Sequence, residues 1–168
     1  SENFVAKVLV VREALQQQQF TLFYQPQVDH TGAVIGVEAL IRWFHPERGL
    51  VSPMDFIPIA EESGLILPLG NWIVEEACDQ LVHWSKNPAT KHWLVSINVS
   101  ARQFQQQQFV AKLLDTLQRT GADPCYLRLE LTESMLVQNQ QEIIAKMDEL
   151  RDIGITFSLD DFGTGYSS

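Results

Sequence analysis

Apolar residues along this chain switch between two spacings, and the switching predicts strands separated by helices. Phe4, Val8, Val11 and Leu15 follow helical spacing and predict a leading helix over residues 4–19. Runs at about 20–28 and 34–43 read as strands, and the turn Asp29-His30-Thr31-Gly32 between them predicts an antiparallel hairpin. After the loop His45-Pro46-Glu47-Arg48-Gly49, Ser52-Pro53 with Asp55 in the first turn marks a helix start, and Gly64 is placed to stop that helix. Trp72, Ile73, Ala77, Leu81 and Trp84 predict a helix over about 69–85. Strands at 93–99, 127–132 and 155–160 then alternate with helices at 106–120 and 139–153, which Gly121 and Gly154 close. The glutamine runs Gln16–Gln19 and Gln105–Gln108 read as the end of the leading helix and the start of a later one. No internal repeat or disordered linker is visible.

From residue 34 onward each strand reaches the next through helix, which implies right-handed crossovers and parallel strands. Such a chain folds as an open doubly wound sheet or as a barrel, and in both the ligand sits beyond the carboxyl ends of the strands. Four of the predicted strands place one acid or amide next to apolar residues: Glu38, Asn98, Glu130 and Asp160, the last preceded by Leu159 and followed by Asp161. Strand side chains alternate faces, so the apolar neighbours pack one way and these four face the other. One such residue would be an oddity; four suggest convergence on a single cation. The same parity also turns Arg42, Ser96, Arg128, Thr132, Thr156 and Ser158 inward. Polar side chains stacked on an inner face are costly unless they bind something.

Composition bounds the reading. A chain of 168 residues is one domain by the length prior. No window approaches the roughly 18 unbroken apolar residues of a membrane span, and no signal peptide pattern opens the chain. The net charge of −9 disfavours a nucleic-acid polymer as partner, while a small anionic ligand stays open if metal ions offset the carboxylates. Cys78 and Cys125 fit no metal or redox spacing and read as reduced thiols of a cytoplasmic protein.

Six blocks carry a resemblance. They are Tyr24-Gln25-Pro26, Glu38-Ala39-Leu40 with Ile41-Arg42-Trp43, Phe56-Ile57-Pro58-Ile59-Ala60-Glu61, Ile97-Asn98-Val99-Ser100, Glu130-Leu131-Thr132-Glu133-Ser134 and Asp160-Asp161-Phe162-Gly163-Thr164-Gly165. In this order and spacing the chain, from about Phe20 to its last residue, strongly resembles the EAL-domain family of bacterial cyclic di-GMP phosphodiesterases. A lone Glu-Ala-Leu would mean nothing; six blocks in register are specific. The resemblance implies an α/β fold, a modified TIM barrel whose first strand runs antiparallel. Such a barrel needs roughly 250 residues. The expectation is therefore about five of eight strands, with residues 1–19 as a leading or connecting helix and 20–168 as an EAL domain lacking its C-terminal part.

The resemblance also implies roles. Glu38, Asn98, Glu130 and Asp160 would ligate one divalent metal, with Asp160 and Asp161 reaching toward a second. Carboxylate and amide oxygens are hard ligands suited to Mg2+ or Mn2+. Gln25 and Arg42 would contact the substrate, near a guanine and at a phosphate respectively, and Glu133 would anchor the segment Phe162–Ser168. The implied reaction is hydrolysis of cyclic di-GMP to the linear dinucleotide pGpG. The family's pattern continues with a lysine, a glutamate and a glutamine on later strands, none assignable here, so the 168-residue chain alone is expected to be inactive. The alternatives are a non-catalytic cyclic di-GMP receptor and a protein-interaction module. As partners the resemblance suggests a covalent sensory or GGDEF-type domain upstream and leaves a homodimer open, with no direct membrane contact and a cytoplasmic location.

Overall fold

In a computed structural model, residues 2–137 and 139–160 are described. Helix α1 (Glu2–Gln16) leads into strands β1 (Phe20–Val28), β2 (Val34–His45) and β3 (Gly49–Val51). Helices α2 (Pro53–Ser63) and α3 (Ile66–Ser85) carry the chain to β4 (Leu94–Asn98). Helices α4 (Ala101–Phe104) and α5 (Phe109–Thr120) lead to β5 (Leu127–Thr132), and α6 (Ser134–Val137) and α7 (Gln140–Asp152) lead to β6 (Thr156–Asp160). The sheet order is β1-β2-β4-β5-β6, with β3 added to β2. β1 and β2 are antiparallel, whereas β2, β4, β5 and β6 are parallel, as the hairpin and crossover arguments require. Among the described residues the sheet is an open arc of a barrel with β1 and β6 at its edges.

Several elements differ from the sequence expectation. The loop after Trp43 is the turn of a second hairpin: β2 runs on to His45 and pairs with β3, and His45 Nδ1 accepts from the Glu47 and Arg48 amides at 3.1 Å. Three residues of strand are too short to show a period. The run Gln105–Gln108 does not open a helix; it joins α4 to α5. Helix α3 begins at Ile66, earlier than the apolar stripe that announces it. The start of α2 follows its signal: Ser52 accepts from the Met54 amide at 3.2 Å, and Gly64 ends the helix at φ 86 in the left-handed region.

Two cores hold these elements. On one face of the sheet Val95, Ile97, Leu127, Leu129 and Leu131 are fully buried, packed with Val74, Ala77 and Leu81 of α3, Leu113 and Leu117 of α5, and Ile143 and Leu150 of α7. A second core joins Val11 and Ala14 of α1 to Phe20, Ile41, Trp43, Phe56 and Leu69, with the Trp43 and Phe56 rings edge to face at 5.5 Å. The leading helix is therefore built into the domain through its last turns. Gly36 lies where β2 meets β4, and a Cβ there would run into the Leu94 backbone. That close approach sets the level at which the parallel ladder begins, and with it the height of Glu38 two residues on.

Candidate functional site

Ladder register fixes which side chains share the other face. Gln25 pairs with Glu38, Glu38 with Ser96, Ser96 with Arg128 and Arg128 with Thr156. One step higher, Asn98 pairs with Glu130 and Glu130 with Ser158, and above that Thr132 pairs with Asp160. Paired residues lie on the same side of a sheet, so Gln25, Glu38, Asn98, Glu130 and Asp160 do share the inner face. Glu38 is not near the end of its strand, because β2 continues to meet β3; it lies instead near the end of the stretch that pairs with β4. Asn98 and Asp160 are the last residues of their strands.

The segments after these strands are held from outside. Ser100 accepts from the Gln103 amide at 3.1 Å and starts α4 directly beyond Asn98. Arg102 donates to the Glu61 and Glu62 carbonyls that end α2, and Lys146 of α7 donates to the Phe104 and Gln106 carbonyls at 2.7 and 2.9 Å. Asn98 thus sits at the head of a segment tied to two neighbouring helices. The Glu133 amide donates to the Asp160 carbonyl at 3.0 Å, so its backbone holds the end of β6 while its side chain is exposed. Asp161 and the glycine segment to Ser168 lie outside the described residues.

The chemistry of the inner face is electrostatically unfinished. Asn98 Nδ2 donates to Glu38 Oε2 at 3.2 Å. A carboxylate only accepts, so the amide must turn its NH2 toward Glu38 and its carbonyl away. That carbonyl oxygen, Oδ1, is buried and has no hydrogen-bond partner among the described residues. Glu130 is 9% exposed. Burial first, then the Glu38 and Asp160 carboxylates, push it up to about 7, while Arg128 pulls the other way. An acid whose ionisation is opposed by two neighbouring carboxylates, beside an unsatisfied amide oxygen, forms an arrangement that a cation relieves. No three His, Cys, Asp or Glu side chains among the described residues form a metal cluster by themselves. The carboxylates and the Asn98 amide that share this face are hard oxygen donors, of the kind a divalent cation takes.

Arg42 stands higher on the same face, beyond Leu40. Its Nη1 donates to the Ile41 carbonyl at 2.8 Å, and its guanidinium carbon lies 5.6 Å from the centre of the Phe23 ring, which neighbours the Phe44 ring at 5.9 Å. Both phenylalanines are close to half exposed. The sequence did not single out either ring. The cysteines carry no chemistry here: both are free thiols, and burial raises Cys78 to about 12. Trp93 and His45 prove to be packing and turn residues, Trp93 meeting Trp84 edge to face at 5.3 Å.

The EAL domain family model matches residues 10–168. The chain is 41% identical over 159 residues to a bifunctional diguanylate cyclase/cyclic di-GMP phosphodiesterase, MucR of Pseudomonas aeruginosa, covering 94% of this chain and 23% of that protein. It is 41% identical over 158 residues to the cyclic di-GMP phosphodiesterase PdeR of Escherichia coli, covering 94% and 24%. Among solved structures, the PaMucR phosphodiesterase in complex with cyclic di-GMP superposes with a TM-score of 0.89 at 40% identity, covering 97% of this chain and 66% of that one. The chain thus spans about a quarter of the length of the curated relatives it matches. No described helix is long and apolar enough to cross a membrane.

Proposed function

Because the chain belongs to the EAL domain family, we propose that it is the cation-binding part of a phosphodiesterase that opens cyclic di-GMP to linear pGpG. The observation that carries this reading is the buried, unpartnered Asn98 Oδ1 beside Glu38, on a face where Glu38 and Asp160 raise Glu130. Support comes from MucR and PdeR, which are phosphodiesterases of this dinucleotide, and from the structure of PaMucR with cyclic di-GMP.

In this reading Glu38, Asn98, Glu130 and Asp160 hold one divalent ion, Mg2+ or Mn2+, and Asp160 with Asp161 reaches toward a second. Bound there, such ions lower the pKa of a water and neutralise charge on the attacked phosphate. The chain's own residues do the rest. Asn98 keeps Glu38 oriented through its NH2 group, and Gln25, paired with Glu38, meets the substrate from the next strand. Arg42 offers a planar fork of donors to a phosphate oxygen. The Phe23 ring beneath it gives the guanidinium a fixed place from which to do so. Glu133 anchors the segment that follows Asp161. A sensory or GGDEF-type domain upstream and a cytoplasmic setting belong to the same proposal.

The test is chromatographic assay of the full-length protein with cyclic di-GMP and Mn2+. The expected product is pGpG, formed with Mn2+ and not in chelator. Cation-dependent binding without any product would favour the receptor alternative. No affinity for the dinucleotide would leave only an interaction module.

A further inference from the structure

Beneath the cation site, one row of paired residues crosses the sheet from Glu38 to Ser96 to Arg128. Ser96 is fully buried, and its Oγ has no hydrogen-bond partner among the described residues. A small apolar residue would fill that place without leaving a buried polar atom unsatisfied, so the hydroxyl needs another explanation. Its two neighbours narrow the choice. Arg128 can only donate, whereas an ionised Glu38 can only accept. A hydroxyl between them has Glu38 as the acceptor for its proton.

Glu38 Oε2 accepts from Asn98 Nδ2, the donor above it. Ser96 is the donor that faces Glu38 along its own row. We infer that Ser96 is a positioning residue for Glu38, its hydroxyl donating to the Glu38 carboxylate when a divalent ion occupies the inner face. The inference rests on the cation reading proposed above. It places in a working role a side chain that touches neither substrate nor cation. Partners of metal ligands fix ligand orientation, and their loss typically weakens metal binding about tenfold or more.

The experiment is a Mn2+ titration of the full-length protein followed by electron paramagnetic resonance, with thermal unfolding in chelator alongside. Ser96→Ala should weaken Mn2+ binding about tenfold, while the metal-free unfolding midpoint stays the same or rises. Ser96→Thr and Ser96→Val have the same shape and differ by one hydroxyl, so they test the claim even if alanine disturbs folding. The threonine variant should bind Mn2+ clearly more tightly than the valine variant. Equal affinities for threonine and valine, or Ser96→Ala binding indistinguishable from wild type, would overturn the inference. If the wild-type protein itself takes up no Mn2+, the cation reading falls and this inference with it.

Discussion

The two faces of one sheet were built by opposite rules. Toward the helices, Val95, Ile97, Leu127, Leu129 and Leu131 are fully buried and carry no polar side-chain atom. Toward the barrel interior, the residues between them are Ser96, Asn98, Arg128 and Glu130, two of which leave a buried oxygen without a partner among the described residues. Burial of apolar area stabilises the first face, at about 25 cal/mol per Å2. The second face gains nothing comparable and bears mutual repulsion among its acids. A fold tolerates such a face when a ligand completes it.

The comparison breaks most sharply at Glu38. Glu38→Ala should lower hydrolysis on the order of 1000-fold, roughly 4 kcal/mol at the transition state. The metal-free unfolding midpoint should hardly move, because lost repulsion on Glu130 offsets the lost Asn98 bond. A variant that unfolds instead would make Glu38 structural. Leu129→Ala, one position from Glu130 but on the other face, should do the converse. It should cost about 2–5 kcal/mol of stability by denaturant unfolding, with Mn2+ affinity of the folded fraction kept.

The pH response sharpens the same contrast at smaller scale. Above the ordinary carboxylate range the unfolded chain has released a proton that folded Glu130 keeps up to about 7. Metal-free stability therefore falls as pH rises through that window and levels off beyond it. Glu130→Gln should flatten the fall, a change on the order of 5 °C in unfolding midpoint between pH 5 and 7.5. Mn2+ should oppose it, since its affinity grows as the carboxylates ionise. Smallest is Ser52→Ala, far from either face in role. Loss of its bond to the Met54 amide should cost about 1 kcal/mol in denaturant unfolding and leave Mn2+ affinity unchanged.

Much of this was legible in the chain. Parity alone put Glu38, Asn98, Glu130 and Asp160 on one face, because the first three sit between apolar neighbours and Asp160 follows Leu159 in a strand of the same period. The register of the parallel ladders bears that out. The start of α2 was legible because Ser52, Pro53 and Gly64 act locally. The short elements were not: β3, α4 and α6 span three or four residues and exist through their neighbours, as when Arg102 and Lys146 tie α4 to α2 and α7. Nor could a sequence show that Asn98 turns its NH2 to Glu38 and leaves its carbonyl alone, or that Glu130 is raised. Those are properties of side chains meeting across strands far apart in the chain.

The most direct test of the central claim is calorimetric titration of Mn2+ into the full-length protein and into Asn98→Leu, which has nearly the same shape and no amide. If the inner face is a cation site, the wild-type protein binds Mn2+ and the variant loses at least about tenfold in affinity, comparable to loss of a metal ligand's support, while remaining folded. Equal affinity in the two proteins would contradict the account.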